Sequence, residues 1–190
     1  MNNPAEYINY SGGANGADMT WDKIGREFGV TKHAHWRPHD LKDLSPEDQV
    51  LSMKAVISAA EVLKRPSSFK DTELVQRNWL QVVNAEAIYA ISRIIEPGGF
   101  DKGFINKSGK QVVSGGTGWA VEMAIQIGKP VAVFDMNTNK WYWWVSAESK
   151  FKLSTDTVIL TRLFAGISSR FISLDGIKAI RDVYTATFPS

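Results

Sequence analysis

Short β-prone runs alternate with helical patterns along this chain, and that alternation constrains the fold more than any other feature of the sequence. Apolar and aromatic side chains dominate the runs at 7–10, 87–91 and 130–134, and helical patterns over 19–28 and 45–63 lie between them. Strands and helices that alternate at this length form a parallel sheet with both faces covered. We therefore predict an α/β fold of doubly wound type, with a mostly parallel sheet and helices on both faces.

Capping residues predict where one helix begins. Ser45 followed by Pro46 predicts the start of a helix that runs to Leu63, because Ser caps a helix well and Pro is tolerated in the first turn. The remaining predicted elements are a helix from Asp71 or Thr72, a loop or hairpin over 96–111, strands over 140–145 and 158–160, and a closing helix over 174–187.

Composition narrows the class of protein. A length of 190 residues suits one domain over 1–190, and 44% hydrophobic with 22% charged residues argues against disorder. The absence of cysteine excludes disulfides, thiolate nucleophiles and Cys-ligated zinc. A net charge of +2 argues against a nucleic-acid partner. No run of about 18 apolar residues and no signal-like N-terminus is found, so we predict a cytoplasmic protein without a membrane partner.

Two segments share one pattern, in which a β-like run leads into Ser-Gly-Gly and then into a helix. We call them the first turn (Ser11-Gly12-Gly13-Ala14-Asn15-Gly16-Ala17-Asp18) and the second turn (Ser114-Gly115-Gly116-Thr117-Gly118). Glycine allows close approach of the backbone to a ligand, and a helix N-terminus favours an anion. The alternative is that each is only a tight strand-to-helix connection. Neither matches the Walker A loop or the standard dinucleotide fingerprint.

The first turn resembles the "SGG-x-x-GAD" opening of the SLOG superfamily, particularly of proteins described as molybdenum cofactor carriers. The second turn, continued through Trp119 to Glu122, is similar to the "PGG-x-GT-x-x-E" turn of the Lonely Guy, lysine-decarboxylase-like branch, with Ser114 in place of Pro and Trp119 in place of Thr. The resemblance covers roughly 7–135 and implies a Rossmann-like fold. It leaves the aromatic strands and closing helix of 136–190 without a counterpart.

The Lonely Guy branch hydrolyses nucleoside 5′-monophosphates to free base and ribose 5-phosphate. Its catalytic Arg stands nine residues before the acid of a buried strand, as Arg77 stands before Glu86 here. The resemblance thus implies catalytic roles for Glu122 as acid/base and for Arg77 as a phosphate clamp or as a group that assists the leaving base, with backbone N–H groups of 116–118 on the phosphate. The structural alternatives are a helix-start acid at Glu122 and a surface ion pair at Arg77.

Further ligand-binding candidates surround the two turns. Asp18 is either a helix cap or a contact to a ribose hydroxyl or cation, and Asn15 and Asn78 carry amides that could read a hydroxyl or a base edge. Trp119 is either packing or a cover over a nucleobase. The ligand-binding set predicted with the two catalytic residues is Ser11, Gly12, Gly13, Asn15, Gly16, Asp18, Asn78, Ser114, Gly115, Gly116, Thr117, Gly118 and Trp119.

The histidines and the tryptophan-rich run are the remaining candidates for metal binding or stacking. His33, His35 and His39 are close in sequence, but without organising carboxylates we predict no metal site and no cofactor. In the run 141–144, Trp141 and Trp143 share one strand face while the residues between them share the other. Burial on both faces, or burial plus a contact in a homodimer or higher homo-oligomer, is favoured over a base-stacking platform.

Three functions are compatible with these features. The preferred prediction is a protein that binds a small phosphorylated nucleotide or nucleotide-derived ligand at the two turns. The alternative is a nucleotide N-glycosidase that uses Glu122 and Arg77. A role in DNA processing, known in the superfamily, is disfavoured by the near-neutral charge.

Overall fold

A computed structural model describes residues 2–12, 17–35, 44–66, 72–101 and 103–189. Its strands are β1 (Ile8–Ser11), β2 (Lys32–His35), β3 (Ala87–Ser92), β4 (Ile94–Ile95), β5 (Phe100–Asp101), β6 (Phe104–Ile105), β7 (Val112–Val113), β8 (Val131–Asp135), β9 (Lys140–Val145), β10 (Lys150–Leu153) and β11 (Leu163–Ser168). Its α-helices are α1 (Ala17–Glu27), α2 (Pro46–Leu63), α3 (Thr72–Asn84), α4 (Thr117–Gln126) and α5 (Leu174–Thr187).

Seven strands form the main sheet in the order β10-β9-β8-β3-β11-β1-β2. The five strands from β8 to β2 run parallel, and the β9–β10 hairpin continues the sheet antiparallel at the β8 edge. The α/β class and the mostly parallel sheet are therefore confirmed.

Two hydrophobic clusters pack against the sheet. Alternate residues of β3 belong to different clusters, as the period of two in a strand requires. Ile88 and Ala90 join a cluster with residues of α2, α3 and α4. Tyr89 and Ile91 join a second cluster with residues of α1 and α5.

The predicted capping at α2 is confirmed. The Ser45 side chain accepts a hydrogen bond from the backbone N–H of Asp48, which satisfies one of the unpaired donors of the first turn. Pro46 occupies the first turn as predicted, and the helix ends at Leu63 before a left-handed Lys64. No helix within the described ranges is long and apolar enough to span a membrane.

The predicted strands at 130–134 and 140–145 are confirmed as β8 and β9, but the strand prediction failed beyond β9. Residues 158–160 form no strand, because side chains rather than a neighbouring strand satisfy their backbone groups. Tyr89 donates to the carbonyl of Ile159 at 2.8 Å, and the N–H of Leu160 donates to Thr187 Oγ1 at 2.9 Å. The prediction also missed β10 and β11. The second omission matters most, because β11 lies in the middle of the parallel sheet between β1 and β3.

The segment after β3 contains more structure than the predicted loop or hairpin. It forms two small antiparallel pairs, β4 with β7 and β5 with β6. The strand that leads into the second turn, β7, is therefore outside the main sheet, contrary to a simple strand–turn–helix unit. The turn still lies at the end of β3, because the Ser114 N–H donates to the carbonyl of Arg93 at 3.0 Å.

Candidate functional site

The chain reverses its direction of travel across the sheet between β1 and β3. From β1 it crosses through α1 to β2, and from β3 it crosses through α4 to β8, on the opposite side. In open α/β sheets such a reversal creates a crevice beyond the carboxyl ends of the strands, where ligands bind. The described residues of the first turn, Ser11, Gly12 and Asp18, and the second turn lie at this position, with the carboxyl end of β11 between them.

Hydrogen bonds connect the carboxyl end of β11 and the residue after it to both turns. Asp18, the last residue of the first turn, accepts from the N–H of Ser168 at 3.4 Å. The hydroxyls of Ser169 and Ser92 are 2.7 Å apart, and Ser92 also lies 3.4 Å from the carbonyl oxygen of Ser114 in the second turn. Ser92, Ser168 and Ser169 were not predicted, because their contacts depend on the central strand β11, which was not predicted either.

At the first turn, Arg77 of α3 reaches the backbone that follows Ser11, the buried last residue of β1. Its Nη1 donates to the carbonyl oxygen of Gly12 at 2.7 Å. Burial lowers the pKa of the Arg77 guanidinium, and the nearby Asp18 carboxylate acts in the opposite direction. The structure thus brings together two residues that were predicted separately, and Arg77 is not a surface ion pair.

Gly12 is surrounded closely by polar side chains. A Cβ atom on Gly12 would lie 2.7 Å from Asp18 Oδ2, 2.8 Å from Arg77 Nη2 and 2.8 Å from Gln81 Nε2. Three functional groups therefore converge where a larger residue would place its side chain. Gln81 was not predicted, although its position four residues after Arg77 on the same helical face was an available signal.

At the second turn, Asp101 of β5 occupies the donors that were predicted for a ligand. Its Oδ1 accepts from Ser114 Oγ at 2.6 Å, and its Oδ2 accepts from the Gly115 N–H at 3.2 Å. Arg65, just after α2, donates from Nη1 to the carbonyl of Gly115 at 3.0 Å and lies 3.9 Å from Asp101 Oδ2. Burial lowers the pKa of Arg65, and Asp101 opposes that effect. Neither Arg65 nor Asp101 was predicted.

Two N–H groups at the start of α4 stay available. The Gly118 N–H donates to Ser114 and Gly115 carbonyls, and the Trp119 N–H donates to the Gly116 carbonyl. Within the described residues, the N–H groups of Gly116 and Thr117 have no hydrogen-bond partner. Gly116 is exposed, with open space where a Cβ would lie. These two amides are the donors that the second turn offers to an anion.

Glu122 faces a different part of the molecule. Its side chain is only 3% exposed, and its two oxygens lie 3.0 and 2.9 Å from Lys110 Nζ. Gln126 also donates to it at 3.1 Å, and Lys110 stands 5.1 Å from the centre of the Trp144 ring. The contacts of Glu122 thus lead towards β9, whereas those of Arg77 lead to the first turn.

The remaining candidates are placed as follows. Asn78 is buried beside Arg77 on α3, and Trp119 is buried in the hydrophobic cluster of α2, α3 and α4. His33 pairs with Asp22 at 2.7 Å, and the described residues hold no group of three or more metal-binding side chains. Three residues of the predicted ligand-binding set, Gly13, Asn15 and Gly16, lie outside the described residues, as does His39.

The predicted division of the aromatic run is confirmed. Trp141 and Trp143 pack against the cluster of α1 and α5, whereas Tyr142 and Trp144 pack against the other cluster. A cavity of about 520 Å³ lies beside Trp141 and α5, and it is lined in part by Phe134, Trp141 and Asp175. None of the predicted site residues lines it.

Comparison of the chain with protein-family models, with curated proteins and with solved structures finds no match.

Proposed function

We propose that this protein binds a small phosphorylated nucleotide or nucleotide-derived ligand in the crevice between the first and second turns. One observation carries the proposal: the described ends of the first turn and the second turn lie where the direction of the chain reverses, and buried hydrogen bonds through Ser169 and Ser92 connect this edge of the sheet. A ligand there would meet groups from β1, β11, β3 and the starts of α1 and α4.

The chemistry of the two turns suits different parts of such a ligand. At the second turn, the N–H groups of Gly116 and Thr117 point from the start of α4 and would hold the phosphate. At the first turn, Arg77, Gln81 and Asp18 supply both donors and an acceptor, as a polar sugar or base edge requires.

We further propose that the chain is a doubly wound, Rossmann-like protein of the SLOG type. Two features support this: the helices divide between two clusters that take alternate residues of β3, and the two turns resemble the SLOG motifs at their spacing from the strands. The central β11 and the β4–β7 excursion are departures from a simple alternation of strand and helix.

The binding proposal is tested by titrating the protein with ribonucleoside 5′-monophosphates in an isothermal calorimeter and in a thermal-shift assay. We expect at least one nucleotide to bind and to raise the melting temperature, since a ligand that binds only the folded state stabilises it. Arg77→Ala should weaken binding about tenfold or more, as loss of a charged donor does. Arg162→Ala, at an exposed arginine paired with Glu6, is the matched control and should bind normally. Failure of every nucleotide to bind contradicts the proposal.

Hydrolysis by Glu122 and Arg77 is the alternative, and the same samples test it. Release of free base from a nucleoside monophosphate by the wild type, together with no release by Glu122→Gln, would show that the function is catalysis and not binding alone. The contacts favour binding, because the Glu122 carboxylate is already paired with Lys110 and hydrogen-bonded by Gln126.

A further inference from the structure

Gln81 carries a buried amide nitrogen that has no hydrogen-bond partner within the described residues. The residue is only 1% exposed, so water does not replace the missing partner at the protein surface. A buried donor left unpaired destabilises a protein, and native structures contain few of them. Such a group calls for an explanation in function or in packing.

Gln76, on the same helix, is a buried glutamine whose contacts are structural only. Gln76 is 9% exposed, and its Nε2 donates to Ser52 Oγ at 2.8 Å and to the carbonyl of Gln49 at 3.3 Å. The amide nitrogen of Gln76 therefore has hydrogen-bond partners on α2, whereas the amide nitrogen of Gln81 has none within the described residues.

The unpaired nitrogen of Gln81 lies at the first turn. It is within 2.8 Å of the position that a Cβ on Gly12 would take, and it shares that position with Arg77 Nη2 and Asp18 Oδ2. Gln81 also follows Arg77 by four residues, so both side chains extend from one face of α3. The free donor is thus part of a convergent polar cluster at a strand end.

The charges of this cluster select the group that could bind. Arg77 and Asp18 carry opposite charges, and the carboxylate opposes the effect of burial on the pKa of Arg77. An added phosphate would be attracted by one and repelled by the other in a buried place, where an uncompensated charge is costly. A hydroxyl is neutral, accepts from the Gln81 amide and can donate to the Asp18 carboxylate.

We propose that Gln81 is a specificity-determining residue that donates its free amide hydrogen to a sugar hydroxyl of the bound nucleotide. This rests on the proposed function and adds to it a selectivity for ribose at the first turn, with the phosphate at the second.

The test compares Gln81→Met with Gln76→Met, since methionine matches the length of glutamine but has no amide. Each protein is titrated with a panel of ribonucleoside 5′-monophosphates and their 2′,3′-dideoxy counterparts, and its ligand-free melting temperature is measured. Gln81→Met should keep or raise the ligand-free melting temperature, because it removes an unpaired donor. It should weaken ribonucleotide binding about tenfold and leave dideoxynucleotide binding unchanged.

Gln76→Met should have the opposite effects. Its ligand-free melting temperature should fall, and its preference for ribonucleotides over dideoxynucleotides should equal that of the wild type. The inference on Gln81 is overturned if Gln81→Met binds ribonucleotides as the wild type does, or if it loses both nucleotide types equally. A melting temperature lowered as much as in Gln76→Met would also overturn it. A wild-type protein that binds no nucleotide overturns the proposed function itself, and with it the role of Gln81.

Discussion

The first and second turns are built from the same kinds of parts. In each, one half-buried arginine donates to a carbonyl of the turn: Arg77 to Gly12, and Arg65 to Gly115. In each, an aspartate lies close enough to oppose the effect of burial on the pKa of that arginine. The charges therefore offset one another at both places.

The turns differ in what surrounds the glycines. At the first turn, the atoms that crowd Gly12 are the ends of three side chains, one of them the unpaired amide of Gln81. At the second, Gly118 packs against backbone, because a Cβ there would overlap the carbonyl oxygen of Val113, and Asp101 fills the donors of Ser114 and Gly115. Backbone contacts therefore determine the packing of the second turn, whereas polar side chains determine the surroundings of the first. Damage to the second should therefore affect the fold, and damage to the first should affect binding.

The largest expected effect is that of Gly118→Ala. The new methyl would meet the backbone of Val113, which cannot move without disturbing β7, so we expect a loss of about 3 kcal/mol or more in the free energy of unfolding. Gly116→Ala is the control within the same turn, because nothing lies within 4 Å of its Cβ position and its φ of −62° suits any residue. Urea unfolding measures both. Equal stabilities would contradict the role of backbone packing.

Arg65→Met should have the next largest effect. It removes the donor to the carbonyls of Gly115 and Val113 and leaves the Asp101 carboxylate without its cation, at an expected loss of about 2 kcal/mol. Arg77→Met removes the bond to the carbonyl of Gly12 at a turn whose close contacts are the ends of side chains, and should destabilise by about 1 kcal/mol. If urea unfolding ranks the two variants in the opposite order, the proposed division between the turns is wrong.

Gly12→Ala should separate stability from binding. The methyl displaces side-chain ends rather than backbone, so the expected loss of unfolding free energy is only about 1 kcal/mol. The displaced groups are those proposed to hold the ligand, so nucleotide affinity should fall at least tenfold in calorimetry. Normal affinity in a folded Gly12→Ala protein would show that this cluster does not bind ligand.

The smallest expected effect on binding is that of Asp101→Asn, and it is a gain. Asparagine keeps an oxygen for the Ser114 hydroxyl but removes the negative charge beside the Gly115 amide and leaves Arg65 without its carboxylate. We expect affinity for a phosphorylated nucleotide to rise several-fold, with a loss of stability of about 2 kcal/mol, like that of Arg65→Met. Glu148→Gln, at an exposed carboxylate bridged to lysines, is the control. A weaker affinity in Asp101→Asn would show that the carboxylate itself serves the ligand.

Local signals in the sequence predicted what depends on local structure. The cap at Ser45 and the closing helix, α5, are confirmed, since both follow from capping residues and helical periodicity within a few positions. The strand β11 was missed because its short run, with Gly166 inside it, is stabilised by neighbours that are distant in sequence. Tertiary contacts of the same kind explain why 158–160 forms no strand despite its apolar side chains.

The candidate site likewise contains residues that local patterns predicted and residues that they did not. Arg77 and Asp18 were predicted from motif spacing, and the structure places both at Gly12. Asp101 could not be predicted, because it reaches the second turn only through the pairing of β5 with β6 and of β4 with β7. Arg65 lies 50 positions from the carbonyl of Gly115 that it contacts, a separation that no local pattern encodes.

The central place of β11 has a consequence for how this protein must fold. Asn9 of β1 accepts a hydrogen bond from the N–H of Gly166, 157 positions further along the chain. Until β11 has been synthesised, β1 and β3 cannot take their final neighbours, and their unpaired edges are open to other strands. Pairings over such separations slow folding, and the crevice between the two turns is complete only when β11 has entered the middle of the sheet. A fragment that ends before β11 should therefore aggregate instead of forming the ligand site.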